Sequence, residues 1–126
     1  MNKIIMFLSL LFFTACKNST EAKKPLIKLN NEIINLGVLS PADTVRKSFP
    51  VYNSGTDTLF ITKVGVSCGC TNGHSDKLYV LPGDSANIFF TYSPANDIDS
   101  VQKSLNVKNN SAEPFKLVYL RAFVRR

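Results

Sequence analysis

Leu78-Tyr-Val-Leu-Pro-Gly-Asp-Ser-Ala-Asn-Ile-Phe-Phe-Thr-Tyr92 decides the fold class. Ala86, Ile88, Phe90 and Tyr92 recur at every second position, the period of a strand with one buried face. Leu78 to Leu81 is a second extended segment, and Pro82-Gly83-Asp84 is a sharp turn between the two. The same alternation of short apolar segments and turns extends in both directions. Toward the C-terminus, Val101, Leu105 and Val107 mark a strand, and Asn109-Asn110-Ser111 turns the chain into Phe115 to Val124. Toward the N-terminus, Leu59 and Ile61 share one parity, whereas Val64, Val66 and Cys68 share the other. A one-residue slip would turn one set outward, so the pattern predicts a bulge near Thr62-Lys63 that keeps both sets on the core. Asn53-Ser54-Gly55-Thr56-Asp57 is a turn whose Asn and Gly suit positive φ. Val45 to Val51 follows a turn at Ser40 to Asp43. Pro50 marks that segment as an edge strand or a bulged one, because proline donates nothing to a ladder. Leu26 to Leu29 and Ile33 to Leu36 flank the turn pair Asn30-Asn31. No helical period of useful length follows residue 25. About seven short strands in roughly a hundred residues predict an all-β, immunoglobulin-like sandwich over residues 25–126.

The N-terminus reads differently. Lys3 precedes an apolar run from Ile4 to Phe13, with Thr14 and Ala15 before Cys16. A charged start, a short apolar middle and a small-residue exit describe a secretory signal. The run is too short for a membrane-spanning helix, which needs ~20 residues. Its end resembles a lipobox, with Phe13 where leucine is usual. That resemblance implies cleavage of residues 1–15 and lipidation of Cys16 with acyl chains such as palmitate. Residues 16–24 would then be the lipidated cysteine and a polar, flexible tether. The expected location is a bacterial cell envelope, with the chain held to a membrane through Cys16. Lys17-Asn18-Ser19 lacks the acidic cluster that resembles a surface-export signal, which favours a periplasm-facing position, with the outer membrane preferred.

Phe49-Pro-Val-Tyr-Asn53-Ser-Gly55, Leu59-Phe-Ile61, Val64-Gly-Val-Ser67-Cys68-Gly69-Cys70-Thr71 and Pro82-Gly83 together resemble a bacterial Ig-like family. It is the domain-of-unknown-function family numbered fifteen seventy-three, similar in fold to major-sperm-protein and Hydin-type domains. The resemblance covers roughly residues 25–126 and implies a secreted protein or lipoprotein that binds or scaffolds. No catalytic activity comes with it.

Cys68 and Cys70 admit three readings. Residues two apart in a strand lie ~6.6 Å apart, near the upper end of the window for bridged Cα atoms. Gly69 can relax the backbone, and an oxidising compartment favours a local disulfide. Alternatively, two thiolates and His74 could hold Cu(I) or Zn, since soft sulfur ligands suit both. A structural zinc site normally has four ligands, however, and this set is one short. The third reading makes Cys68 a small core residue continuing the parity of Val64 and Val66. The first and third are preferred, with thiol-redox work as a further alternative.

No nucleophile elbow surrounds Ser67, no acidic pair suggests glycoside hydrolysis and no phosphate loop is present. Asp97 and Asp99 read as a solvated turn. No catalytic residue and no cofactor is expected. The net charge is +6, but the basic residues are scattered without aromatic interleaving, which argues against nucleic acid. Anionic lipid, an envelope protein or a polysaccharide remain as partners. The last strand is apolar on both parities, and its second face is expected to lie under loops or the tether.

Overall fold

The computed structural model describes residue 16 and residues 18–126. The signal-peptide reading of residues 1–15 therefore lies outside the described residues. Among the described residues, nine strands run β1 (Ile27–Lys28), β2 (Ile33–Leu39), β3 (Val45–Asn53), β4 (Leu59–Val66), β5 (Thr71–Ser75), β6 (Tyr79–Val80), β7 (Ser85–Tyr92), β8 (Asp99–Asn109) and β9 (Phe115–Val124). They form a four-stranded sheet, β1-β3-β7-β5, and a five-stranded sheet, β2-β9-β8-β4-β6. The fold is an all-β, Ig-like sandwich. Its core lies between the sheets, where Leu59, Ile88, Leu105, Val51, Val80, Val107 and Val118 are wholly buried.

The predicted bulge is present, as a register shift between Ile61 and Lys63 where β4 meets β8. It rescues only part of the second parity set. Ile61 is buried and Val64 packs partly against the core, but Val66 is 40% exposed. Val66 stands opposite the wholly buried Leu105 but is itself left partly uncovered.

Pro50 needs no bulge, because β3 pairs with β7 in unbroken register and Pro50 stands opposite Asn87. The Asn87 N–H donates to Asp76 Oδ1 and its carbonyl accepts from Asp76 N, so both groups point away from β3. Pro50 therefore sits in a non-hydrogen-bonded pair, its nitrogen toward the sheet edge, where β1 pairs only with Tyr52 and Asn53.

The Asn30-Asn31 turn does not close a hairpin. It carries the chain from β1 in one sheet to β2 in the other, where β2 pairs in parallel with β9. The Asn53–Asp57 turn also differs from expectation. Its residues have no positive φ; among the described residues that backbone occurs at Gly37, Gly83 and Asp99. Gly55 is needed for space, since a Cβ there would lie 2.3 Å from the Lys24 carbonyl oxygen. Thr56 N and Asp57 N both donate to that oxygen, which fixes where the chain enters the domain.

The outer face of β9 is bare. Val118, Leu120 and Val124 point into the core, while Phe115, Leu117 and Phe123 are 56%, 40% and 41% exposed. The covering expected from loops or tether does not form among the described residues.

Candidate functional site

The Ser67-to-Thr71 segment crosses from β4 in one sheet to β5 in the other. Ser67 ties the crossing to β8: its N–H donates to the Ser104 carbonyl at 3.0 Å, and its Oγ accepts from Ser104 N at 3.0 Å. Cys68 and Cys70 are joined by a disulfide, with their Cα atoms 5.3 Å apart. That separation is well inside the range for bridged residues and shorter than an extended strand would give. Gly69 is exposed and has open space where a Cβ would stand. Thr71 is 4% exposed, and its Oγ1 lies 3.6 Å from Cys68 Sγ and 3.7 Å from Cys70 Sγ. The Cys70 carbonyl accepts from Ser93 N at 2.9 Å, which binds the crossing to the end of β7. Cys70 packs partly against the core. The bridge is half-buried at one end of the sandwich.

His74 is not part of this centre. It lies along β5 opposite Phe89 of β7, and the two rings stack with centroids 5.4 Å apart. Both line a shallow groove of about 380 Å³ on the outer face of the four-stranded sheet, with Arg46, Asn72 and Thr91. Cys68, Cys70 and His74 are not gathered into one coordination set. Among the described residues, no cluster of three His, Cys, Asp or Glu side chains is placed to hold a metal. Cys16 is exposed and is not bridged to another cysteine.

Asp97 corrects the reading of a solvated turn. Its carboxylate accepts from Tyr92 Oη at 2.7 Å and from Lys103 Nζ at 3.0 Å. Desolvation pushes the Asp97 carboxyl up, but the hydrogen bonds from Tyr92 and Lys103 and the lysine charge outweigh it and hold it below the usual carboxylate range. The same contact works on the buried Tyr92 phenol, whose pKa is raised, first by desolvation and then by Asp97. Asp99 supplies the positive φ that starts β8. The depressed carboxyl stabilises the fold above its unfolded pKa of ~3.9, and that contribution is lost as pH falls through the lower folded value. Urea midpoints measured from pH 6 to pH 3 should fall, and Asp97→Asn should flatten the part of that slope due to this carboxylate. At pH 6 the substitution should cost about 1 kcal/mol.

The opposite end of the sandwich holds a second set of residues. Asn53, 1% exposed, accepts at Oδ1 from Gly55 N at 3.0 Å and Leu26 N at 3.3 Å. Its Nδ2 donates to the Asp57 carbonyl at 2.7 Å and the Val80 carbonyl at 2.9 Å. Its backbone bonds the Pro82–Asp84 turn, through Asp84 O at 3.0 Å and Gly83 N at 2.9 Å. The N-x-G and P-G signatures are thus two halves of one clamp. Asn109 repeats the device near β9, donating to the Val107 and Glu113 carbonyls and accepting from Ser111 N.

No curated protein matches the chain. Among solved structures it is similar to a protein of unknown function from Porphyromonas gingivalis W83, at TM-score 0.72 and 18% identity over 86% of this chain and 51% of that one. It is also similar to the Vibrio cholerae VesB protease, at TM-score 0.59 and 17% identity over 82% of this chain and 32% of that one. The ASH / PapD-like domain 7 of human CEP192 aligns at TM-score 0.59 and 12% identity, covering 87% of this chain and 92% of that one. The chain therefore spans about half of the first structure and a third of the second. At these identities the likeness shows the fold. The sequence match is more specific: it runs over residues 27–124, from β1 to β9, and the chain belongs to the family described as protein of unknown function, DUF1573.

Proposed function

We propose that this protein is a lipid-anchored envelope protein of a bacterium, in which a non-enzymatic Ig-like module is presented on a short tether to bind or scaffold another envelope component. The observation that carries the reading is the position of Cys16. It is exposed and follows a leader of secretory pattern, and the chain is first held by the domain at Lys24, through Thr56 and Asp57. The residues between them reach at most ~29 Å when extended, so acyl chains on Cys16 would keep the sandwich close to a bilayer.

Intact mass and N-terminal fragmentation of the protein from its native membrane test this directly. The expected product begins at Cys16 and carries the added mass of fatty acyl groups. A product that retains residues 1–15, or begins elsewhere with an unmodified Cys16, would overturn it.

A second reading rests on the half-buried Cys68–Cys70 bridge. An envelope redox protein would reduce that bridge while oxidising an external dithiol to its disulfide, or use the two thiolates of the reduced pair to bind Cu(I) or Zn. Thiol counting after exposure to graded dithiol, with a Cu(I) and Zn titration of the reduced protein, separates the readings. Stoichiometric metal uptake lost in Cys70→Ser, or catalytic dithiol turnover, would favour redox or metal work over scaffolding.

A further inference from the structure

We propose that an aromatic row at the chain-entry end of the five-stranded sheet, Tyr79, Phe60 and Phe115 with Lys63 and Lys108 beside it, seats the domain on an anionic phospholipid surface. The inference rests on the reading that Cys16 is lipidated and specifies how the anchored domain meets its membrane. The three rings come from β6, β4 and β9. Tyr79 is registered opposite Phe60, Phe115 opposite Lys108, and Lys63 opposite Lys108. Neighbouring strands lie ~4.8 Å apart, so the set spans ~14 Å across the sheet, with Lys108 of β8 and Lys63 of β4 between Phe115 and the Phe60–Tyr79 pair. Tyr79, Phe60 and Phe115 are 60%, 49% and 56% exposed. Side chains of this size are ordinarily among the more buried ones, so three exposed in one row form a patch that requires an explanation.

Three observations select the bilayer as occupant. The first is position. Lys24 is bonded to the Thr56–Asp57 turn, and β4 begins at Leu59, so the tether leaves the domain beside Phe60. Asn110 joins the β8–β9 turn to the same place, accepting from Phe60 N at 2.7 Å and donating to the Thr58 carbonyl at 3.2 Å. The second is charge. The Lys108 ammonium lies 6.0 Å from the Phe115 centroid. Of the neighbouring carboxylates, Asp84 is paired with Lys77 at 3.4 Å, and Glu113 shares Lys116 with Glu32, at 2.9 Å and 2.8 Å. The third is chemistry, since rings beside lysines match a headgroup boundary, where aromatic side chains insert and ammonium groups meet phosphate.

The test uses residues 16–126 with Cys16→Ser, which retains every strand and all of the core but cannot be acylated. Sedimentation with vesicles of phosphatidylglycerol and phosphatidylethanolamine should pellet this protein at low salt, with weaker binding to phosphatidylcholine. Phe60→Ser combined with Tyr79→Ser and Phe115→Ser should weaken binding about tenfold or more. Phe123→Ser, at the far end of the same face, should leave it unchanged. Circular dichroism and a urea midpoint establish that each variant is folded. Absence of binding, binding that survives the triple change, or binding lost only in Phe123→Ser would overturn the proposal. So would a concentration-dependent dimer that the triple change abolishes, because the row would then be a contact between copies. None of these outcomes depends on the native N-terminus, so the anchor and the seat fail separately.

Discussion

Asn53→Ala is expected to destabilise the domain by about 3 kcal/mol, a fall in Tm of roughly 15 °C for a domain of this size. The change removes a small side chain and little apolar contact, so the effect comes from hydrogen bonding. Alanine would leave the Gly55 and Leu26 N–H groups and the Asp57 and Val80 carbonyls without their partner. A buried polar group left unpaired costs ~1–3 kcal/mol. The total falls below the sum of four such losses because Gly55 and Asp57 are near enough to solvent to recruit water. Asn53→Asp is a sharper test, since a carboxylate can keep both accepted bonds but faces two carbonyl oxygens where it needs to donate. It should be at least as damaging at pH 7 and should recover in part as acid protonates it. Ser54→Ala, one residue away and exposed, should change stability by less than about 0.5 kcal/mol. Urea unfolding of the three variants checks this. A loss below about 1 kcal/mol for Asn53→Ala would mean the turn is held by its backbone bonds instead.

The second large effect concerns location. With the leader exchanged for a non-lipoprotein secretory signal and Cys16→Ser introduced, the protein is expected to move from the membrane pellet to the soluble fraction at high salt. One acyl chain of myristoyl length supports only marginal attachment, with an association constant of ~10⁴ M⁻¹, whereas two or more hold durably. Losing them should reduce partitioning at least ~1,000-fold. The aromatic row would leave a weaker, salt-sensitive residue of binding, because its lysine component is screened within ~8 Å at physiological ionic strength. Fractionation in low and high salt reads both components. A variant that stays in the pellet at high salt would show that the anchor is not at Cys16.

The sandwich was legible because strand period and turn chemistry are local properties. Ala86, Ile88, Phe90 and Tyr92 fill alternate core positions as their spacing requires, and Phe115–Val124 forms one strand. The bulge between Ile61 and Lys63 was legible for the same reason, since it is the only local repair of a parity change. What escaped was decided by groups far apart in sequence. Asn30-Asn31 has turn composition whether the chain doubles back or changes sheet, and only the pairing of β2 with β9 distinguishes the two. Gly55 suggested unusual φ, but the constraint comes from the Lys24 carbonyl passing over it. Asn53 looked like a turn former, and its burial could have been suspected from its place at the end of an apolar run, two residues before a glycine. Asp97 reads as a solvated charge in sequence because neither Tyr92 nor Lys103 is marked there as its partner. The Cys-Gly-Cys segment declared its reactive atoms but not their surroundings, and His74 proved to belong to Phe89.

The parallel pairing of β2 with β9 also bears on biosynthesis. β9 is wedged between β2 and β8, so one of the earliest strands to emerge from the ribosome waits for one of the last before its ladder can form. Until residues 115–124 are made, the five-stranded sheet is split, with neither β2 nor the free edge of β8 paired and the core open along Val118 and Leu120. Closure of such distant contacts is slow, so the ladder of β2 is among the last parts of the sheet to form.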